Sequence, residues 1–230
     1  MTTQSSRHTA DLPALEPGVT LLDVESDLGV TPVQALLIDQ VLGSDDDVYW
    51  VDGAGVAQTT RLRELAPHNR VLERIHVARG FTPHQHTSLI NRLHTSFTDA
   101  SAVIATGLDR LYRDDDVSKD RGQSMLVRAL ASLGRAARVH GLPVIITRVR
   151  EDGFSAPLVN AATRHLYCRK TPFGPRFEAT DGDAETLVYH TGTGWIQTTL
   201  AYWRDVLAHR ARIHETAPAA HAIADSVEVR

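Results

Sequence analysis

Residues 18–31 read GVTLLDVESDLGVT, an apolar run of strand length followed by a polar turn. The run 19–24 is typical of a buried strand. A helical pattern follows at once, because Thr31–Leu42 has Pro32 in its first turn and apolar residues repeated along one face. A buried strand that leads directly into a helix is typical of a parallel α/β sheet.

The same alternation of strand and helix patterns continues toward the C-terminus. Further buried strands are predicted at 47–52, 74–78, 102–106 and 142–149, and the helices between them at 60–65, 82–97 and 125–140. Parallel strands need crossover connections, which are usually helices. The centre of the sheet is therefore expected to be parallel.

The pattern changes after Gly153. The short segments 164–169, 186–190 and 195–198 lie between glycine-rich turns and predict an antiparallel extension of the sheet. A closing helix is predicted at 200–214. The expected fold class is α/β, with a central, mostly parallel sheet flanked by helices and antiparallel strands near the C-terminus.

Length and composition are those of an ordinary globular protein. The chain has 230 residues, of which 42% are hydrophobic and 23% are charged, enough to bury a core without disulfides or metals. Cys168 is the only cysteine, which excludes an intrachain disulfide. We expect residues 1–17 to form a flexible lead, residues 18–214 a single domain and residues 215–230 a disordered tail.

The charge and hydropathy of the chain argue against two classes of partner. Its net charge is −4, whereas a protein that coats nucleic acid usually carries a basic surplus. No apolar run approaches the ~18 residues of a transmembrane helix, and the polar N-terminus lacks the apolar segment of a secretory signal. The sequence predicts a cytoplasmic protein without membrane contact.

The turn after the first strand can be compared with the phosphate-binding loop, whose pattern is G-x-x-x-x-G-K-[ST]. Gly29 and Thr31 stand where that pattern has its second glycine and its hydroxyl residue. Val24 replaces the first glycine, and Val30 replaces the lysine. By itself this match does not indicate a nucleotide site.

Five further segments follow in the order and spacing of one known family. They are VYWVDGAG (48–55), RVLERIHVARGFTPHQHTSLINRL (70–93), SAVIATGLDRLYR (101–113), PVIITRV (143–149) and RHLYCRK (164–170). With them the chain, from about Gly18 to Gln197, resembles the RecA-type recombinases, in particular the archaeal RadA and RadB proteins. The resemblance implies a RecA-like P-loop NTPase core.

The resemblance also implies that the groups needed for ATP hydrolysis are absent. Val30 stands at the family's phosphate-neutralising lysine, Ala54 at the glutamate that activates water, and Thr106 at the aspartate that orients Mg²⁺. Loss of a general base alone typically costs about 10²–10⁴-fold in rate. We therefore predict no catalytic residue, no metal and no required cofactor. The predicted remnant of the nucleotide site consists of Gly29, Thr31 and Asp52.

The segments that correspond to the family's DNA loops are poor candidates for DNA binding. Residues 114–122, DDDVSKDRG, hold four acidic residues, and acidic clusters raise the cost of approaching phosphates. The second loop, 150–157, is short. Filament formation is likewise unsupported, because the N-terminal lead lacks the segment that links RadA subunits.

Two groups of basic residues remain as candidate DNA or phosphate contacts. Arg121, Arg128 and Arg135 are seven residues apart on one predicted helix, and form either a phosphate-binding stripe or a solvated face. The second group is Arg164, Arg169, Lys170 and Arg176, with Tyr167 and Phe173 between its members. It either binds single-stranded nucleic acid, because aromatic side chains stack on bases, or has a structural role in a strand pair. The full set of predicted contacts is Arg113, Arg121, Arg164, Arg169 and Arg176.

Three other residues were considered as sites. His84 and His86 are two positions apart and point to different sides of a helix, so no shared metal is predicted. Cys168 is centred in a strand pattern, which predicts a small buried apolar residue.

Three functional hypotheses follow. The first is a non-catalytic RecA-like protein, an accessory or regulatory factor in DNA recombination and repair that binds a recombinase or another repair protein. The second is a residual nucleotide-binding protein or weak ATPase that uses Thr31, Asp52 and Arg148 with ATP and Mg²⁺. The third is a stand-alone binder of single-stranded DNA.

Overall fold

The computed structural model describes residues 12–93, 100–171, 174–180, 185–186 and 199–227. The strands are β1 (Gly18–Val24), β2 (Asp47–Asp52), β3 (Ile75–Arg79), β4 (Ala100–Thr106), β5 (Pro143–Ile146), β6 (Arg164–Thr171), β7 (Gly174–Ala179) and β8 (Glu185–Thr186). The helices are α1 (Thr31–Leu42), α2 (Thr59–Leu65), α3 (Arg70–Glu73), α4 (Pro83–Leu93), α5 (Lys119–His140), α6 (Ala156–Ala161) and α7 (Thr199–Val227).

The strands form one sheet in the order β3-β2-β4-β5-β1-β6-β7-β8. The pairs from β3 across to β6 are parallel, whereas β7 is antiparallel to β6, and β8 to β7. The predicted α/β class, with a mostly parallel sheet and antiparallel strands near the C-terminus, is confirmed. Segment 164–169 forms β6, which begins the antiparallel extension through its pairing with β7 and is parallel to β1 on its other side.

An apolar core lies on each side of the sheet, because successive side chains of a strand point to opposite faces. Trp50 of β2 packs in the core that contains α1 and the fully buried Trp203 of α7. The next residue, Val51, packs in the core formed with α4, α5 and α6. Helices therefore cover both faces of the sheet.

Most predicted boundaries agree with the structure, and the differences have local causes. α1 and β2 match their predictions residue for residue. α5 begins at Lys119 rather than at 125, because its first turns are polar and lack the apolar repeat. β5 ends at Ile146, and α7 continues past 214 to Val227.

Other predicted segments cannot be compared. Residues 94–99, at the end of the predicted helix 82–97, lie outside the described residues, as do 187–190 and the predicted strand 195–198. β7 was not predicted, because its short alternation lies between proline and glycine residues. Among the described helices, none combines the length and the apolar composition needed to cross a membrane.

The path of the chain opens a crevice at the carboxyl ends of the central strands. From β1 to β3 the chain runs toward one edge of the sheet over the face that carries α1 and α2. From β3 to β6 it returns over the face that carries α4, α5 and α6. The loops after β1 and β5 therefore diverge, as do those after β2 and β4, and open α/β sheets bind ligands in such a crevice.

Candidate functional site

A cavity of about 190 Å³ lies in this crevice. Its wall contains Val30, Ala54 and Thr106, the three positions at which the resemblance implies lost catalytic groups. Val30 and Ala54 follow β1 and β2, and Thr106 is the last residue of β4, yet the fold places all three around one small space. The lining is mostly apolar, and Arg148 is its one charged residue among those described.

The turn after β1 uses its own backbone donors. Residues Ser26–Leu28 form a 3₁₀ turn in which the N–H of Leu28 donates to Glu25 O (2.9 Å) and that of Gly29 to Ser26 O (3.2 Å). Gly29 has φ = 57°, which favours glycine. In a phosphate-binding loop such N–H groups point at the anion. Here two of them are already satisfied within the turn, and Thr31 begins α1 directly after it.

Asp52, at the end of β2, organises the next loop. Its side chain is fully buried and accepts six hydrogen bonds, four of them from the backbone N–H groups of residues 54–57. The other two come from Arg79 Nε (3.1 Å) and Thr106 Oγ1 (3.2 Å). Burial by itself raises the pKa of Asp52, but the hydrogen bonds from Ala57, Val56 and Arg79 outweigh it and hold the pKa below its usual value.

Thr106 belongs to the same network. The indole N–H of Trp50 donates to Thr106 Oγ1 (2.9 Å), which donates in turn to Asp52. Both predicted positions are thus committed to internal hydrogen bonds, and Asp52 is not among the residues that line the cavity. The network holds the loop over the cavity in one conformation.

The charged residue of the cavity wall is paired within the chain. Arg148 is 5% exposed and forms a two-pronged bond with Asp23 of β1, at 2.9 and 2.7 Å. His165 Nε2 lies 2.7 Å from the same carboxylate. Burial by itself raises the pKa of Asp23, but the hydrogen bonds and charges of Arg148 and His165 lower it by more. The pKa therefore lies below its usual value, and the carboxylate stays ionised. Its hydrogen bonds to Asp23 raise the pKa of Arg148.

A buried histidine lies behind the loop that Asp52 organises. His86 of α4 is fully buried, with Nδ1 at 2.9 Å from the hydroxyl of Tyr112. Its Nε2 has no hydrogen-bond partner among the described residues. Burial lowers the pKa of His86 to about 4, despite the opposing effect of Asp52. Sequence reasoning missed this role, because the pattern of α4 does not distinguish the buried His86 from the exposed His84.

The His86 environment predicts that stability falls in mild acid. The pKa of His86 is about 4 in the folded protein and about 6.5 in the unfolded chain, so below pH 6.5 the unfolded chain binds the proton more readily. The stability of the folded state is therefore complete above pH 6.5 and falls as the pH drops toward 4. We expect the free energy of unfolding to drop by about 2 kcal/mol between pH 7 and pH 5. Urea unfolding at both pH values measures it.

A matched pair of variants on α4 isolates this effect. His86→Gln should remove most of the pH dependence, whereas the exposed His84→Gln should keep it. An unchanged slope in His86→Gln would show that other groups cause the acid sensitivity.

Residues from the segments 112–123 and 149–154 line a groove of about 900 Å³. Its charged lining is balanced, with three acidic and three basic residues: Asp114, Asp115, Asp152, Arg113, Lys119 and Arg150. Apolar side chains, including Tyr112 and Phe154, complete the wall. A groove with balanced charge does not attract phosphates over a distance.

Four of the five predicted phosphate contacts are engaged within the chain. Arg113 bonds to Asp109 and Asp152 at 2.7–2.8 Å. Arg169 and Arg176 both lie within 4.0 Å of Glu178, and Arg164 donates to a backbone oxygen. The fifth, Arg121, is exposed on α5 and forms no ion pair among the described residues.

The remaining sequence candidates are separate in the structure. Cys168 is buried, as predicted, and burial raises the pKa of its thiol. His84 is exposed and His86 is buried, so the two do not share a site. Within the described ranges, no three His, Cys, Asp or Glu side chains come together as metal ligands. Phe173 lies outside the described residues.

Fold and site together define an α/β protein with a small, mostly apolar cavity at the carboxyl edge of its central strands. No protein-family model matches the chain, and a search of curated proteins finds no match.

Proposed function

We propose that this protein is a non-catalytic RecA-like protein, an accessory or regulatory factor in DNA recombination and repair that acts through a protein partner. The observation that carries the proposal is the meeting of Val30, Ala54 and Thr106 around one cavity. Each of the three residues lacks the charged or proton-accepting group that RecA-type recombinases have at the corresponding position. The three departures therefore concern one site and act together.

The cavity is also poorly suited to a triphosphate. Its volume of about 190 Å³ is below the ~300–1,000 Å³ typical of pockets for small molecules. Its cation, Arg148, is neutralised by Asp23. Bringing phosphate charges into an apolar space without a free cation costs several kcal/mol per charge. A protein with such a site is better suited to binding a partner than to turning over ATP.

The recombination and repair assignment is inferred from the resemblance. A fold alone does not define a function, so the partner has to be identified by experiment. Affinity purification of the full-length chain from its native cells is expected to recover a RecA-type recombinase or another repair protein. Recovery of unrelated proteins alone, with a denatured-bait control, would contradict this part of the proposal.

A second candidate function, residual nucleotide binding, is favoured by one observation. A larger cavity of about 620 Å³ lies on the outer side of the turn after β1. It is lined by residues 26–31, which include Asp27 and lead into α1, and by Arg61, whose side chain is 49% exposed and pairs with Glu64 at 3.2 Å. A helix N-terminus beside an arginine is a favourable environment for an anion.

Calorimetric titration with Mg-ATP separates the two functions. We expect no binding at millimolar nucleotide, because the cavity of about 190 Å³ offers no unpaired cation among its described lining residues. Micromolar affinity in the unmodified protein would overturn the first proposal. If that affinity then fell in Arg61→Gln but not in Arg63→Gln, its exposed neighbour on α2, the outer cavity would be the nucleotide site.

A further inference from the structure

The outer face of α5 carries four exposed arginines without ion pairs. This arginine stripe consists of Arg121, Arg128, Arg135 and Arg138. Among the described residues, none of the four lies within salt-bridge distance of a carboxylate. Other arginines of this chain differ, since Arg148 and Arg210 each hold one carboxylate through two nitrogens, and Arg113 bonds to the buried Asp109 and to Asp152.

Charge is segregated onto this face of the molecule. The helices α4, α5 and α6 together contain six lysines and arginines and one acidic residue, Asp120. The whole chain has a net charge of −4. A helix face that is merely solvated usually mixes both signs, because opposite charges four residues apart support the helix. The described part of this face lacks such pairs of opposite charges.

The stripe has the geometry of a rigid row. Arg121, Arg128 and Arg135 are seven residues apart, which places them about 10.5 Å from one another along the helix axis. The row is therefore about 21 Å long, and one strand of a DNA duplex carries about six phosphates over that length of axis. An arginine fork matches the oxygens of a phosphate better than a lysine does.

The residues around the stripe indicate the kind of polyanion. The exposed positions of α5 between the arginines are Ser124, Val127 and Ala131, and the exposed Val139 follows the last arginine. These two valines are the exposed large apolar residues of α5, and no aromatic residue occurs in α4, α5 or α6. Protein interfaces are usually centred on buried aromatic or apolar side chains. Single-strand binders need aromatic side chains on which bases stack. Contacts to the backbone of a duplex need neither.

We propose that the arginine stripe of α5 binds the phosphate backbone of duplex DNA without reading its sequence. The acidic residues 114–116 precede α5, so contact is expected to be strongest toward Arg128, Arg135 and Arg138. This inference goes beyond the proposed function and does not rest on it, because α5 contributes no residue to the cavity lined by Val30, Ala54 and Thr106.

Fluorescence anisotropy with a labelled duplex of about 30 bp tests the proposal, with the full-length chain titrated between about 50 and 200 mM salt. The stripe variant is Arg128→Gln/Arg135→Gln/Arg138→Gln. Its matched control removes three exposed arginines from the opposite helical layer, Arg63→Gln/Arg70→Gln/Arg204→Gln. Both variants change the net charge equally.

The unmodified protein is expected to bind with micromolar affinity at the lowest salt concentration. The stripe variant should lose at least about tenfold, and its salt dependence should fall by about three in slope, because each released phosphate contact contributes about 0.9. The control should stay within about twofold of the unmodified protein, since its arginines lie away from the DNA.

Four results would overturn the proposal. They are no duplex binding at the lowest salt concentration, an equal loss in the control, tighter binding of a single strand than of the duplex, or binding of polyglutamate but not of DNA. Circular dichroism checks that the variants fold. If the triple variant does not, Arg128→Gln and Arg135→Gln are measured singly, and each should weaken binding. The nucleotide titration is independent, so failure of one proposal is distinguishable from failure of the other.

Discussion

Replacing Asp52 with alanine is expected to lower the free energy of unfolding by about 3–5 kcal/mol, because it removes the acceptor of four backbone N–H groups and of the buried Thr106 hydroxyl. The carboxylate is fully buried and accepts from four backbone N–H groups, Arg79 and Thr106. Without the carboxylate, the buried donors of Ala57 and Thr106 lose their acceptor, and the half-buried N–H groups of residues 54–56 lose the bonds that hold the loop. Urea unfolding at pH 7 measures the change.

The first residue of the same strand supplies the control. Asp47 is one-third exposed, and its carboxylate contacts His76 at 2.6 Å near the surface. Asp47→Ala should cost less than about 1 kcal/mol, because exposed ion pairs contribute little. Asp52→Asn should lie between the two. If Asp52→Ala cost no more than Asp47→Ala, the loop over the cavity would not depend on this carboxylate.

Gly122→Ala is expected to destabilise the protein by about 3 kcal/mol, although alanine is the better helix former. Gly122 lies in the first turns of α5, where an added Cβ would stand 2.0 Å from the backbone oxygen of Tyr112. That oxygen cannot move like the end of a flexible side chain, since Tyr112 is buried and bonded to His86. The helix and the segment of Tyr112 would have to separate.

A second glycine of the same helix gives the opposite expectation. An added Cβ at Gly134 meets only the end of the Arg138 side chain, at 3.4 Å. Gly134→Ala should therefore stabilise the protein by up to about 1 kcal/mol through helix propensity. Thermal unfolding of both variants measures the difference. Equal effects at the two positions would mean that the close approach of Tyr112 and α5 is not retained in solution.

Three positions of the cavity wall could be named from the sequence, but the hydrogen bonds and ion pairs around them could not. Of the predicted remnant, Gly29 lines this cavity, whereas Thr31 and Asp52 do not. Val30, Ala54 and Thr106 were singled out by comparison with the resembling family, and they line one cavity. Arg148 was a candidate to compensate for the missing lysine, but its pairing with Asp23 depends on two strands that are distant in the chain. His86 was considered only as a metal ligand, because a sequence does not indicate which polar residue becomes buried.

Sequence alone determined the local elements of this protein. Periodicity and turn residues act over a few positions, so α1 and β2 were located to the residue. The tertiary structure decided which strand lies beside β1, and so the direction of β6, and which arginines are neutralised. Strand pairing and ion pairing depend on distances between residues far apart in the chain, and only the folded backbone sets those distances.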